Sequence, residues 1–311
     1  MLSSLRGLES IDNDTLRVDH SLGSNPKATL KDVRYLLLNP HDPSGKDQLG
    51  LEKFPDEVLK HLNYDSETLK DYLHSGRDAG INELRNAILR TLPGGLSISV
   101  ELNRGICNAN RDTGPAAIPN IWTPEARAVV EPTLLKMHAT LLNDTDKIMA
   151  GVQKGIRILC LHSMDPWTFK EGARPALSPE TFNAYVAAQG LGAEYKEPRL
   201  EDFIAGRKDG PMLADAEFYR VMKQEFDAHK IPWADNAPYD TEPGYPDWTY
   251  MNTFPGRVSA IDLNKTRLCQ GGYSTFDPRN HVVDPVKVAF MAELHRFALR
   301  NTWPSQSTSK A

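Results

Sequence analysis

Two histidines of this 311-residue sequence follow short apolar segments. His41 comes just after VRYLLLN (residues 33–39), which stops at Pro40, and His162 comes directly after IRILCL (residues 156–161). Such runs are typical of buried strands, and open α/β sheets bind ligands beyond the carboxyl ends of their strands. Neutral imidazole is a common zinc ligand, and catalytic zinc sites use three protein ligands. We therefore expect a zinc site, completed by a carboxylate. The alternative for His41 is a surface-loop residue bonded to a carbonyl.

A polar loop, residues 103–119, follows a third predicted strand at 97–102. It contains Arg104 and Arg111 among several asparagines, including Asn110. Guanidinium groups bind carboxylates through paired hydrogen bonds, so this composition favours a site for a substrate carboxylate. The alternative is an ordinary solvated loop in which Arg111 pairs with Asp112.

Asp262 lies inside a fourth predicted strand, residues 258–263. Burying an unpaired carboxylate is costly, so we expect Asp262 to be either salt-bridged or functional. Near a metal ion, a carboxylate can act as general base and then as general acid.

Helical patterns alternate with these strands, which predicts an α/β fold with a mostly parallel or mixed sheet. One helix is predicted to begin near Pro55, and five more are predicted at 78–92, 124–150, 178–189, 215–229 and 286–301. Thr123 is the expected N-cap of the third helix, and Pro132 predicts a kink or a division into two helices. We expect residues 1–30 to wrap over the core and residues 168–213 to form a lid-like excursion. We further expect a single domain that ends in a disordered tail from about residue 304.

The composition excludes some function classes. A net charge of −5 gives no indication of nucleic-acid binding. Three cysteines without CxxC spacing argue against disulfides and a cysteine zinc site, and no apolar run approaches the length of a membrane span. We expect a cytoplasmic protein that acts on a small molecule and binds neither nucleic acid nor membrane.

Taken in order, the loops resemble the motifs of the N-formylglutamate amidohydrolase family, which is related to the zinc carboxypeptidases. That family's pattern opens with PH-x-x-G after a strand, and Pro40, His41 and Gly45 follow it with one extra residue. An acidic residue at a helix start and then R-x-x-x-D-x-NR come next. The similar residues here are Arg77-Asp78, Asn82-Glu83-Leu84, Arg104 and Asn110-Arg111-Asp112.

The remaining family motifs are D-x-HS after a strand, N-x-P-[FY], a glycine-rich turn and a strand that carries a carboxylate. The similar residues are Cys160-Leu161-His162-Ser163-Met164 without the leading Asp, then Asn236, Pro238, Tyr239, Gly244-Tyr245 and Asp262. The general base of that family is usually Glu, so Asp262 is one methylene shorter. The resemblance covers residues 33–300.

The resemblance implies a mixed central β-sheet flanked by helices on both faces, a Zn²⁺ cofactor, and hydrolysis of the amide of an N-acyl amino acid. It implies that His41, Asp78 and His162 are the metal ligands; Asp71, His74 and Glu83 stay open as alternatives to Asp78. It further implies that Asn110 and Arg111 hold the substrate's α-carboxylate and that Asp262 is the general base. We expect Arg104 to stabilise the oxyanion.

Two other functions remain compatible with these residues. One is a carboxypeptidase-like hydrolase of a small peptide or amide, which would share the site and differ in the size of its pocket. The other is a zinc-binding protein without catalysis, suggested by Asp262 in place of Glu. We favour the amidohydrolase.

Overall fold

The structure is a computed structural model. It describes residues 14–23, 28–44, 49–62, 67–111, 114–119, 121–152, 155–164, 215–231, 250, 253–254, 257–270 and 282–303. The predicted helix at 178–189, the excursion at 168–213 and the tail from 304 lie outside these residues.

A mixed β-sheet forms the centre of the described chain. Its strands are β1 (Leu16–His20), β2 (Tyr35–Asn39), β3 (Gly95–Val100), β4 (Arg157–Met164) and β5 (Val258–Asn264). The spatial order is β1-β3-β2-β4-β5, and only the β1–β3 pairing is antiparallel among these strands. The predicted α/β class with a mixed central sheet is confirmed.

The helices cover both faces of this sheet. They are α1 (Asp56–Leu59), α2 (Glu67–Ser75), α3 (Ile81–Thr91), α4 (Pro124–Gly151), α5 (Ala216–Ala228) and α6 (Pro285–Asn301). Short 3-10 turns occur at Leu30–Asp32, Leu51–Lys53, Pro115–Ala117 and Lys265–Arg267. Within the described part of the chain, none of the helices is long and apolar enough to cross a membrane.

The central strands β2 and β4 are mostly apolar, and both of their faces are buried. Leu36 and Leu38 of β2 pack into a cluster that includes Leu134 and Leu141 of α4. The alternate residues Tyr35 and Leu37 pack on the opposite face, in a cluster built from α3, α5 and α6. Side chains alternate along a strand, so a strand covered by helices on both sides buries its side chains on both faces.

The connection after β2 contributes to both faces of the sheet. Its helices α1 and α2 pack in the cluster that α4 also joins, and α3 then packs on the opposite face. The chain passes from one face to the other between α2 and α3, and in that link the backbone N–H of Asp78 donates to the carbonyl of His41, just beyond β2. In α/β proteins ligands bind beyond the carboxyl ends of the strands, where the loops that carry His41 and Arg104 also begin.

One expectation for the fold is wrong, and so is one of the two alternatives at Pro132. Residues 16–20 do not merely wrap over the core but form the edge strand β1, in which the buried Leu16 and Val18 alternate with more exposed residues. The chain over Pro124–Gly151 is a single helix, so Pro132 does not divide it. Pro132 and Ala128 are both exposed, which lets water bond the Ala128 carbonyl that lacks an N–H partner.

His295 makes the stability of this fold depend on pH. Its ring is fully buried in α6, and Nδ1 donates to the Met291 carbonyl at 2.7 Å. Burial lowers the pKa of His295 to about 4, although the bond to Met291 acts in the opposite direction. Between pH 6.5 and 4 the unfolded chain therefore binds a proton at this residue and the folded chain does not.

We predict that the free energy of unfolding of the wild type falls by about 2 kcal/mol more than that of His295→Leu between pH 7 and pH 5. Urea titrations at the two pH values measure this difference. The matched control is His61→Leu, which replaces an exposed histidine and should follow the wild type. Parallel pH curves for wild type and His295→Leu would contradict the assignment.

Candidate metal centre

Three side chains from separate segments meet at the carboxyl edge of the sheet. His41 follows β2, Asp78 precedes α3, and His162 lies near the end of β4. All three are buried, with exposed fractions of 3%, 0% and 6%. Each offers one ligand atom, and these atoms lie within 4.8 Å of one another. This group could hold a metal ion.

Asp78 is the centre of the group, and nitrogens surround its carboxylate. Oδ2 lies 3.2 Å from His162 Nδ1 and 3.4 Å from His41 Nδ1. The backbone N–H of Ser163 also donates to Oδ2 at 3.2 Å, and Arg104 Nη1 donates to Oδ1 at 3.3 Å. Both carboxylate oxygens are thus held by groups from three other segments.

These contacts keep Asp78 ionised although it is completely buried. Burial alone would raise the pKa of the carboxyl group. The contacts with His41, with the Arg104 guanidinium and with the His162 ring instead hold the pKa of Asp78 well below its usual range. A metal ion would therefore meet a carboxylate rather than a carboxylic acid.

His41 is neutral at physiological pH. Burial lowers its pKa to about 4; Asp78 acts against this shift, while Arg104 and His162 reinforce it. The ring centroids of His41 and His162 are 5.2 Å apart. Neutral imidazole is the form that binds metals, so the buried environment keeps His41 in its ligating state.

An ion pair joins the segment of His41 to that of Asp78. Arg77 donates from Nε and Nη2 to Asp42 Oδ1, at 3.1 and 2.9 Å. The Asp42 side chain is fully buried, and its Oδ2 accepts the backbone N–H of Asn82 at 2.8 Å. The backbone N–H of Asp78 also donates to the His41 carbonyl at 3.1 Å. The two candidate ligands are therefore held in a fixed relation by their sequence neighbours.

The end of β4 is attached to the same segment. Ser163 Oγ donates to the Ala79 carbonyl at 3.1 Å, in addition to the bond from its N–H to Asp78. The chain then turns into α3 at Gly80, where φ is +90° and a Cβ atom would lie 2.6 Å from the Leu268 side chain. Only glycine fits this turn, which sets where Asp78 sits relative to the helix.

The predicted oxyanion-stabilising residue Arg104 and the predicted substrate-binding residues Asn110 and Arg111 lie in the loop after β3. Arg104 Nη1 reaches the centre, 3.2 Å from His41 Nδ1. Asn110 is buried, and the half-buried Arg111 donates from Nη1 to the Asn110 carbonyl at 2.8 Å. The structure thus brings Arg104 to the candidate ligands and places Asn110 and Arg111 in the same loop; their binding of a carboxylate stays a prediction.

Asp262 lies in β5, where the strand register pairs its backbone with His162 of β4. The two residues therefore stand at the same height along neighbouring parallel strands, close to the carboxyl edge. This location is compatible with the predicted role as general base, which itself stays a prediction.

Other candidates contribute less to this site. Within the described residues, neither His74 nor Glu83 joins the candidate ligand group, and the side chain of Asp71 is not among those described. All three cysteines are buried free thiols. Burial raises the pKa of Cys107 to about 12 and that of Cys269 to about 11, so neither is a thiolate nucleophile at neutral pH.

Two features of the centre went unrecognised in the sequence. The Asp42–Arg77 pair joins residues 35 positions apart, which no local pattern reveals. Asn108, whose Oδ1 lies 3.0 Å from His41 Nε2, was seen only as part of a polar loop. Its signal was available, because Asn108 stands four residues after Arg104, at the D position of R-x-x-x-D-x-NR.

Comparison with known proteins shows a similar fold. The structure is similar to the crystal structure of N-formylglutamate amidohydrolase from Ralstonia eutropha JMP134, with a TM-score of 0.53 and 14% sequence identity over 92% of this chain and 97% of that chain. A gene product of Agrobacterium tumefaciens matches with a TM-score of 0.46 and 14% identity over 92% and 95% of the two chains. No family model and no curated protein matches the sequence. The first similarity confirms the predicted fold and its resemblance to this amidohydrolase architecture.

The Asp42–Arg77 pair yields a prediction about stability. Asp42→Asn leaves the buried Arg77 guanidinium without its carboxylate, and we expect the free energy of unfolding to drop by about 3 kcal/mol. Denaturant titration measures this loss. Glu131→Gln removes the half-buried i,i+4 partner of Arg127 and should cost less than about 1 kcal/mol. Equal costs in the two variants would show that the buried pair does not join the segments.

Proposed function

We propose that this protein is a zinc-dependent amidohydrolase that cleaves the amide bond of an N-acyl amino acid. The observation that carries the proposal is the buried His41, Asp78 and His162 group at the carboxyl edge of the sheet, with Arg104 in contact with two of its members. The similar fold of an N-formylglutamate amidohydrolase supports the reaction class.

The donor set suits Zn²⁺. Two imidazoles and one carboxylate are a known ligand set of catalytic zinc sites, which leave one position for water. The described residues fit this set because His41 is neutral and Asp78 is ionised, so neither has to lose a proton. When bound, Zn²⁺ supplies a Lewis acid and lowers the pKa of water towards neutrality.

We assign substrate binding to the loop after β3. The Arg111 guanidinium would hold the substrate's α-carboxylate, and Asn110 would donate to the same group. Arg111 is half-buried and bonded to the Asn110 carbonyl, which restrains the arginine near the asparagine. A restrained guanidinium loses less entropy when it binds a carboxylate.

Two residues would handle the charge and the proton that move in the reaction. Arg104 would donate from its guanidinium to the oxygen that becomes negative as the amide carbonyl is attacked. The Asp262 carboxylate would take the proton of the attacking water and deliver it to the leaving amine. The support for Asp262 is its pairing with His162 in the strand register.

A small apolar cavity beside the centre bears on the substrate. It has about 30 Å³ of free space, compared with about 10–15 Å³ for one water, and it borders Pro40 and Asn110. The rest of its described lining is mostly aliphatic: Leu38, Ile98, Val100, Ala109, Leu141 and Leu142. This lining favours a small alkyl group over an acidic one, so the substrate panel should include N-acyl alanine and leucine beside N-formylglutamate.

The alternative is a zinc-binding protein without catalysis. It is favoured by Asp262, because the shorter side chain withdraws a base by about 1 Å, a displacement that can cost about 10²-fold in rate. Such a protein would bind Zn²⁺, hydrolyse none of the panel, and gain nothing from Asp262→Glu. Cleavage of dipeptides but not of N-acyl amino acids would instead indicate a carboxypeptidase-like enzyme.

Metal binding and amide hydrolysis should both depend on His41 and His162. The wild type should bind one Zn²⁺ and release amine from at least one N-acyl amino acid, while His41→Ala and His162→Ala should lose both properties. Elemental analysis and an amine-release assay measure the two quantities. The control is His229→Ala, which replaces a largely exposed histidine at the end of α5 and should retain both. Full activity in chelator-treated, metal-free protein would contradict the proposal.

Binding of the substrate's carboxylate should depend on Arg111. Arg111→Met should raise KM about 10- to 100-fold for the best carboxylate substrate, because a charge-assisted hydrogen bond is lost. It should change KM little for the carboxamide analogue of that substrate. Arg220→Met, at an exposed arginine of α5, is the matched control. A similar change in KM for both substrates would remove Arg111 from the carboxylate site.

A further inference from the structure

Asn108 contacts the side of His41 that faces away from the candidate ligands. Its side-chain oxygen Oδ1 lies 3.0 Å from His41 Nε2, and both residues are buried, with exposed fractions of 7% and 3%. The inference drawn from this contact rests on the proposed metal-dependent function.

A second hydrogen bond shows that the side-chain oxygen of Asn108, and not its NH₂ group, faces His41. The backbone N–H of Asn110 donates to the same Oδ1 at 3.0 Å. A backbone N–H needs an acceptor, so the amide must present its oxygen here and not its NH₂ group. His41 Nε2 must therefore carry the hydrogen of its bond to Asn108.

Arg104 contacts the opposite nitrogen of the ring. A neutral imidazole carries one hydrogen, so a protonated Nε2 leaves a lone pair on Nδ1. Arg104 Nη1, which can only donate, lies 3.2 Å from Nδ1. Asp78 Oδ2 would favour a hydrogen on Nδ1, but at 3.4 Å it is farther from the ring than the Asn108 and Arg104 atoms are. The Asn108 contact on one side of the ring and the Arg104 contact on the other thus specify the same tautomer.

We propose that Asn108 is a positioning residue that holds His41 in its Nε2–H tautomer, so that Nδ1 is presented to the metal together with Asp78 and His162. Hydrogen-bond partners of this kind orient metal-binding histidines, and their loss typically costs 10- to 100-fold in metal affinity. Because the Asn108 amide is neutral, it orients His41 without adding a second negative charge to that of Asp78.

Asn108 also has a structural role, which the experiment must separate from this one. Its backbone N–H donates to the Ala117 carbonyl at 2.8 Å, so it helps to fold the loop after β3. Asn103 offers a matched control in the same loop. It is buried, its Nδ2 donates to the Leu73 carbonyl at 3.2 Å, and its Oδ1 accepts the N–H of Gly105 at 2.8 Å.

The test compares Asn108→Leu, Asn108→Asp and Asn103→Leu in the full chain. Nitrogen-15 NMR of the histidines in metal-free protein reports the tautomer, and His41→Gln identifies the His41 signals. The wild type and Asn108→Asp should show His41 protonated at Nε2, since both offer an oxygen acceptor. Asn108→Leu should show a mixture of tautomers, and Asn103→Leu should match the wild type.

Zn²⁺ titration provides the second measurement. Asn108→Leu should bind Zn²⁺ about 10- to 100-fold more weakly, whereas Asn108→Asp should stay within about threefold of the wild type or bind more tightly. Equal losses in Asn108→Leu and Asn103→Leu would overturn the proposal, since loop folding would then explain both.

A wild-type His41 protonated at Nδ1 would also overturn the proposal, whichever variants fold. If the wild type bound no Zn²⁺, the proposed function would fail, and the tautomer of His41 would still decide whether Asn108 fixes the ring. The two failures are therefore distinguishable.

Discussion

The fully buried carboxylate of Asp78 accepts hydrogen bonds from Arg104, His162 and the backbone N–H of Ser163, and it also contacts the ring of His41. Burying a carboxylate costs several kcal/mol unless charged and hydrogen-bonding groups surround it. The surrounding groups here come from the chain after β2, the chain after β3 and the end of β4. The position of Asp78 therefore depends on all three segments, and the contacts with Asp78 in turn fix the positions of those segments.

The topology explains why these segments meet. The connection after β2 passes from one face of the sheet to the other between α2 and α3, which places Asp78 at the carboxyl edge beside His41. Strand β4 lies next to β2, on the side away from β3. The central strands bury both of their faces, and His41 and His162 lie at or just beyond their carboxyl ends. The Asp42–Arg77 ion pair joins the segment of His41 to the segment of Asp78. Local backbone preferences alone would not fix the position of one segment relative to the other.

Part of this arrangement follows from the sequence, and part does not. The location of His41 and His162 in the site could be predicted, because a residue directly after a buried apolar strand lies at the edge of the sheet where α/β proteins bind ligands. Asp78 was identified only through a family resemblance, since nothing in its own neighbourhood distinguishes it from Asp71, His74 or Glu83. The edge strand β1 was missed although Leu16 and Val18 alternate with polar residues, because the signal spans only five residues. The contacts of Asn108 required the folded loop, since they join it to a residue 67 positions away.

The most direct measurement of the central claim is an anomalous difference map, recorded at the zinc absorption edge from crystals grown with Zn²⁺. The account predicts one strong peak bounded by His41 Nδ1, a carboxylate oxygen of Asp78 and a ring nitrogen of His162, each at about 2.0–2.2 Å. Zinc at another set of residues, or a fully exposed Zn²⁺ only at the surface, would contradict the account.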